Sequence, residues 1–83
     1  MSREKLVDLG YENLLVFDCP DYDDAIIGVT TDNQVVYDYN LMVEQLMRDE
    51  NWTEEEAVEW IEYNTIRALD YMGAGAPVIV TLL

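Results

Sequence analysis

The sequence predicts an α+β domain: a small β-sheet, made of a central hairpin and a C-terminal strand, with two or three helices packed on it. Three observations carry this. Two β-branched and aromatic runs, residues 25–30 and 35–39, flank the turn-forming Thr31-Asp32-Asn33-Gln34. Thr53-Glu54-Glu55-Glu56 has the capping-box pattern and opens an amphipathic run that reaches Gly73. Beyond Gly73-Ala74-Gly75-Ala76-Pro77, residues 78–83 read as a strand.

Taken in order, residues 2–9 predict a short amphipathic helix with Leu6 and Leu9 on one face and Gly10 as its stop. Leu14-Leu15-Val16-Phe17, bounded by Asn13 and Pro20, predicts a strand. Both faces of the hairpin that follows are apolar, with Ile27, Val29 and Val36 on one and Ile26, Val35, Tyr37 and Tyr39 on the other. Either helices cover both faces or one of them meets a partner. Leu41, Met42, Leu46 and Met47 recur at helical spacing up to about Arg48, with Asp38 or Asn40 as the cap. In the next helix the Thr53 hydroxyl accepts from the Glu56 N–H and the Glu56 carboxylate reaches back, while Trp52 is placed to staple against Ala57. Three glutamates in that first turn complement the helix dipole. Ala57, Val58, Ile61, Thr65, Ala68, Leu69 and Met72 trace its inner face. The order is α-β-β-β-α-α-β, in one domain over residues 1–83.

Charge is the strongest functional signal. Eighteen Asp and Glu face four Lys and Arg, with no histidine, for a formal net charge of −14. Solubility of a small domain needs a magnitude of only roughly 2–8. The excess repels itself in the folded state, yet 51% apolar residues with six Tyr and two Trp predict a folded chain and not an acidic tail. Such a chain is not expected to bind free nucleic acid or an anionic membrane, since both are polyanions. No apolar run approaches the roughly 18–20 residues of a membrane span, and Met1-Ser2-Arg3-Glu4-Lys5 leads into no signal-type stretch. Cys19 is the only cysteine, so no internal disulfide is expected and the cytoplasm is the expected compartment. With no histidine partner and four aspartates around it, Cys19 reads as a packing residue.

The acids form three groups. Asp18, Asp21, Asp23 and Asp24 precede the hairpin; Asp49, Glu50, Glu54, Glu55 and Glu56 surround the junction of the two long helices; Glu55, Glu59 and Glu62 recur along one helix face. On that face successive carboxylates are about 5–6 Å apart, close to phosphate spacing along a nucleic-acid strand. A solvated helix face is the plainer reading, but residues 49–62 hold no basic residue to make the usual i,i+4 pairs. Asp21, Asp23 and Asp24 lack the spacing of a calcium loop and read as turn formers, so neither a metal nor another cofactor is expected. Asp18 at the end of an apolar run lacks the partners of a nucleophilic aspartate, and Gly73-Ala74-Gly75-Ala76 follows a helix, the wrong polarity for a phosphate loop. No nucleophile, base and oxyanion-donor set can be assembled, so the chain reads as non-enzymatic. Trp60, beside Glu59 and off the inner stripe, is either a partner-facing anchor or part of a second core face. Arg67, the one basic residue of positions 49–83, is expected to pair internally, with Asp70 or with an acid of the loop before the hairpin.

Tyr22-Asp23-Asp24-Ala25-Ile26-Ile27-Gly28-Val29, Val35-Val36-Tyr37-Asp38-Tyr39 and Glu59-Trp60-Ile61-Glu62-Tyr63-Asn64-Thr65-Ile66-Arg67-Ala68-Leu69 resemble a family of small uncharacterised acidic proteins of Gram-positive bacteria and their prophages. The resemblance spans about residues 14–83 and brings no established activity. Members usually carry proline where this chain has Asp70, so the helix is expected to run further here. It implies a mobile-element setting, in which small acidic proteins often inhibit host defence or DNA-handling enzymes. Tyr63-Asn64-Thr65-Ile66-Arg67 then either touches a partner or holds the helix to the sheet, and the structural role is preferred.

Together these observations point to an acidic inhibitor that mimics DNA charge and fills the nucleic-acid groove of a basic host protein such as a nuclease, an anti-CRISPR protein being the most concrete form. Asp21, Asp23, Asp24, Asp49, Glu50, Glu54, Glu55, Glu59, Glu62 and Trp60 are the expected contact residues. The alternative is a structural or regulatory domain that self-associates, as a homodimer, or binds a peptide through its sheet face. Charge alone generates one measurable outcome. Screening of the self-repulsion predicts that the melting temperature rises between about 20 mM and 500 mM NaCl, by the several degrees that about one kcal/mol produces in a domain of this size. A flat or falling melting curve along that series would show that the acids are already compensated inside the fold.

Overall fold

Short capping and turn motifs set the ends of the elements in the computed structural model of the chain, which describes residues 2–18 and 20–83. Cys19 therefore lies outside the described residues. Helix α1 (Arg3–Asp8) begins where the Ser2 hydroxyl accepts from the Lys5 N–H. It closes with the Tyr11 N–H on the Leu6 carbonyl and the Gly10 N–H on the Val7 carbonyl, a geometry that needs Gly10 at φ 92°. Leu6 is buried, but Leu9, expected on the same face, is exposed because it sits at the C-cap, outside the helical register.

Residues 14–17 do not form the predicted strand. Their apolar side chains do pack: Phe17 is buried, with Leu14 and Val16 against the core. The Phe17 N–H, however, goes to the Tyr37 hydroxyl at 3.1 Å and not to a neighbouring strand. The chain then passes Tyr22, held in the left-handed region at φ 51°, and makes one 3₁₀ turn over Asp23–Ala25. Ala25 belongs to that turn, so β1 covers Ile26–Val29 and β2 covers Val35–Asp38. The predicted turn residues join them: the Thr30 hydroxyl accepts from the Asp32 and Gln34 N–H groups, and Asn33 takes φ 62°.

Strand β2 is central. It pairs antiparallel with β1 and parallel with β3 (Val78–Val80), through Val36 with Val78, Tyr37 with Ile79 and Asp38 with Val80. The C-terminal strand is thus shorter than residues 78–83. Of the two apolar hairpin faces, helices cover only that of Ile26, Val35 and Tyr37, all buried. On the other, Ile27 lies at an irregularity in the β1–β2 register and is exposed, and Val36 is half-buried; the same irregularity sets Val29, expected on this face, opposite Val35 and against the core. Tyr39, read as a strand residue, is the first residue of α2 (Tyr39–Glu50).

Asp38 is the cap of α2, its carboxylate accepting from the Asn40 and Leu41 N–H groups at 2.8 and 3.3 Å. The inward face is Met42, Val43 and Leu46 with the polar Gln45, whereas Met47 is exposed. Gln45 is turned inward because it bridges the loop: its amide donates to Asp21 and its carbonyl accepts from the Asp24 N–H. After Asn51 at φ 57°, the Thr53–Glu56 capping box opens α3 (Glu54–Trp60) with both bonds formed.

The predicted continuous helix to Gly73 is interrupted by a π turn at Ile61–Thr65, beyond which α4 runs over Ile66–Met72 and includes Asp70. The Ile66 N–H reaches back five residues to the Ile61 carbonyl. The inner stripe explains this. Ala57, Ile61, Thr65 and Leu69 recur at intervals of four, which on a regular helix drifts about 40° per step. One wider turn cancels the drift and keeps Ala57, Ile61 and Thr65 buried, with Leu69 on the core.

Three buried rings form the centre. Phe17 meets Tyr22 edge-on at 5.6 Å between centroids and Tyr37 at 4.8 Å, and Tyr22 meets Tyr37 edge-on at 6.5 Å. The Tyr22 hydroxyl lies 2.7 Å from the Thr65 hydroxyl, tying the loop before β1 to the π turn. Tyr22→Phe leaves a buried Thr65 hydroxyl without its partner and is expected to cost about 1–2 kcal/mol, as is Thr65→Val. Removing both should cost clearly less than the sum, and a strictly additive denaturation cycle would show that this bond carries little.

Burial raises the Tyr22 phenol pKa and pushes that of Tyr37 from 10.0 up to about 12. The folded chain therefore holds these protons after the unfolded chain has released them. Their contribution is intact below about pH 10 and disappears as pH rises toward 12. Spectroscopic titration should show Tyr22 and Tyr37 ionising only with unfolding; ionisation of both near pH 10 in a still folded chain would contradict this.

Candidate functional site

The loop aspartates converge on a cation from the N-terminal helix. Arg3 lies 3.2 Å from Asp18, 3.6 Å from Asp21 and 3.1 Å from Asp23. Arg48, in the last turn of α2, lies 2.7 Å from Asp24 and 3.1 Å from Asp49. Both guanidinium pKa values are raised, that of Arg3 chiefly by the charge of Asp23 and that of Arg48 chiefly by the hydrogen bond it donates to Asp49. Among the described residues no group of three or more His, Cys, Asp or Glu is arranged to hold a metal ion. The aspartates of the loop surround a guanidinium instead.

This divides the residues singled out in the sequence. Asp21, Asp23, Asp24 and Asp49 have cations of the same chain beside them. Glu62 accepts a hydrogen bond from the Tyr39 hydroxyl at 3.3 Å, and burial followed by the Glu62 charge raises the Tyr39 pKa. Glu50, Glu54, Glu55 and Glu59 are exposed, and their carboxylates make no hydrogen bond or ion pair among the described residues. Glu55, Glu59 and Glu62 do come together, lining one shallow groove with Val58, Tyr63 and Arg67.

Arg67 departs from its expected pairing. Its guanidinium stands 5.8 Å from the centre of the Tyr63 ring, a cation–π contact, and not against Asp70 or the loop acids. Glu55, Glu59 and Glu62 line the same groove as Arg67.

A second depression adjoins the groove and shares Glu59 and Tyr63 with it. It holds about 380 Å³ and is lined by Trp52, Glu56, Glu59, Trp60, Tyr63 and Asn64. Trp52 stacks against Trp60, with centroids 5.5 Å apart and planes tilted by 49°. Trp60 is one-third exposed (36%) and Tyr63 mostly so (62%). The Asn64 amide donates to the Trp60 carbonyl at 3.2 Å, and Trp60 also lines a further depression together with Tyr22, whose hydroxyl is bonded to Thr65. Trp60 is accordingly both packed and outward-facing, the two alternatives the sequence left open.

Trp52, Tyr63 and Asn64 are the members of this depression that the sequence analysis did not group. The signal is present: Trp52, Glu56, Glu59, Trp60 and Tyr63 stand at i, i+4, i+7, i+8 and i+11, the spacing of one helix face. It is hidden because Trp52 precedes the cap, and because the π turn re-aims Tyr63 and Asn64. The motif Tyr63-Asn64-Thr65 divides its roles: Thr65 bonds inward to Tyr22, and Tyr63 and Asn64 face solvent. No helix among the described residues is long and apolar enough to cross a membrane. No family model matches the chain, and no curated protein or solved structure matches it either.

Proposed function

We propose that the protein is a non-catalytic acidic inhibitor, carried by a phage or mobile element, that occupies the nucleic-acid groove of a basic host protein in the bacterial cytoplasm. An RNA-guided nuclease is the most concrete target. One observation carries the reading. With a net charge of −14, the chain pairs Arg3 and Arg48 with the aspartate loop, so Glu54, Glu55 and Glu59 on α3 form no ion pair among the described residues, and the one cation in the groove of Glu55 and Glu59, Arg67, lies over the Tyr63 ring. This concentrates the contact on the outer face of α3 and the π turn. Asp21, Asp23, Asp24 and Asp49 add to the long-range field but enter a contact only by exchanging an internal cation for an external one. Charge of this kind accelerates encounter and selects the partner class, while the aromatic side chains beside it supply residence time.

A second reading rests on the outer face of the sheet, where Ile27 is exposed, Val36 is half-buried and the space above Gly28 is open. There the protein would bind a peptide or its own copy.

Adding the protein to a panel of RNA-guided nucleases and DNA-binding proteins at low salt tests the first reading. A complex that excludes nucleic acid, dissociates with added salt and loses about tenfold or more in association rate with Glu55→Lys/Glu59→Lys is expected. No complex with any basic protein sinks the proposal. A concentration-dependent dimer insensitive to salt, seen by light scattering, supports the sheet-face reading in its place.

A further inference from the structure

We infer that the depression between Trp52, Trp60 and Tyr63 is a receptor for one arginine side chain of the partner, an inference that rests on the proposed function and deepens it. Aromatic faces with carboxylates on the rim attract a cation and repel phosphate, so this part of the surface does not imitate nucleic acid; it reads the protein that binds nucleic acid. The volume of about 380 Å³ is at the small end of the range for ligand pockets, roughly 300–1,000 Å³, which suits a single side chain. The two indole centroids are only 5.5 Å apart, so the cation does not enter between them. Room lies in the open notch beyond, bounded by Tyr63, Asn64 and the two carboxylates.

The carboxylates differ in readiness. One Glu56 oxygen accepts from the Thr53 N–H in the capping box. Glu59 has no partner among the described residues and lines both the notch and the adjoining groove. A guanidinium satisfies this set better than an ammonium, because it stacks flat on an aromatic ring and still presents a two-pronged donor edge to a carboxylate. The chain shows the same chemistry next door, where Arg67 lies over Tyr63. The Trp60 ring already packs against Trp52, so little side-chain freedom is lost on binding.

The two tryptophans give two indole N–H resonances in the ¹⁵N-labelled full chain, which makes the test direct. Capped arginine, capped lysine and capped citrulline, its neutral isostere, are titrated separately. Arginine is expected to move both indole signals and the amides of Glu59 and Tyr63, with lysine weaker by about threefold or more and citrulline without effect. Trp60→Leu should abolish the shifts. Glu59→Gln, at an exposed position with no internal partner, should weaken them by about threefold to tenfold without touching the fold. Equal shifts from citrulline, or arginine shifts confined to Glu55 and Glu62 with still indoles, overturn the inference. If a basic nuclease is bound equally well by the wild type and by both variants, the receptor falls and the inhibitor reading stands. If arginine binds the indoles but no basic protein is bound at all, the inhibitor reading falls and the receptor stands.

Discussion

The 2.7 Å contact between the hydroxyls of Tyr22 and Thr65 is the junction through which the two halves of the molecule hold each other. Tyr22 packs edge-on against Phe17 and Tyr37, and the Tyr37 hydroxyl in turn accepts the Phe17 N–H. A chain segment with no strand partner, a hairpin and a helix face are thereby fixed around three rings. Thr65 sits in the π turn, and Trp60 lines one depression with Tyr22 and Thr65. The geometry of the outward-facing aromatic cluster is therefore set from inside. Tyr22 needs the left-handed backbone at φ 51° to present its ring there, a conformation uncommon for a bulky residue and tolerated because the ring is wholly buried.

The same loop resolves part of the charge problem. Asp18, Asp21 and Asp23 meet Arg3, and Asp24 with Asp49 meets Arg48, so two of the four basic residues counter five acids. These are mostly exposed pairs, and each contributes little to stability by itself. Their effect is distributional: they gather two of the four basic residues at the aspartate loop and leave Arg67 as the one cation in the groove beside α3. There the glutamates are tolerated for a different reason, since Glu54, Glu55 and Glu56 lie at the positive end of the helix dipole. The field left over is an uneven one.

Local chemistry made much of this fold legible. The turn of Thr31 to Gln34, the Asp38 cap, the capping box and the Gly73 stop each involve residues within four positions of one another, and the sequence displays such motifs directly. Features that depend on distant residues were not visible. Leu14 to Phe17 has the composition of a strand, but no strand edge lies beside it and its buried N–H is satisfied by a side chain twenty residues away. Gln45 is inward because the loop before β1 offers it an acceptor and a donor. The parallel pairing of β3 with β2 likewise follows from where the helices return the chain. Of the candidate site, the acids of α3 were legible from the absence of lysine, whereas the pairing of the loop aspartates with Arg3 required the fold.

The π turn shows how the core and the surface impose one solution on the same five residues. An inner stripe at intervals of four demands that the helix widen somewhere between Ala57 and Leu69. A widened turn leaves backbone carbonyls less well served, and here the Asn64 side chain supplies a donor to the Trp60 carbonyl. The widening could have fallen at any turn of that run. Its position just beyond Trp60 lets Thr65 point to Tyr22 while Tyr63 and Asn64 remain outside, next to Trp52 and Glu59. A regular helix would have to surrender either the inward bond or the outward cluster. Placing the irregularity here keeps both, and a defect in a helix at the one point where an aromatic, acid-rimmed surface is assembled is the pattern that π turns show at binding sites.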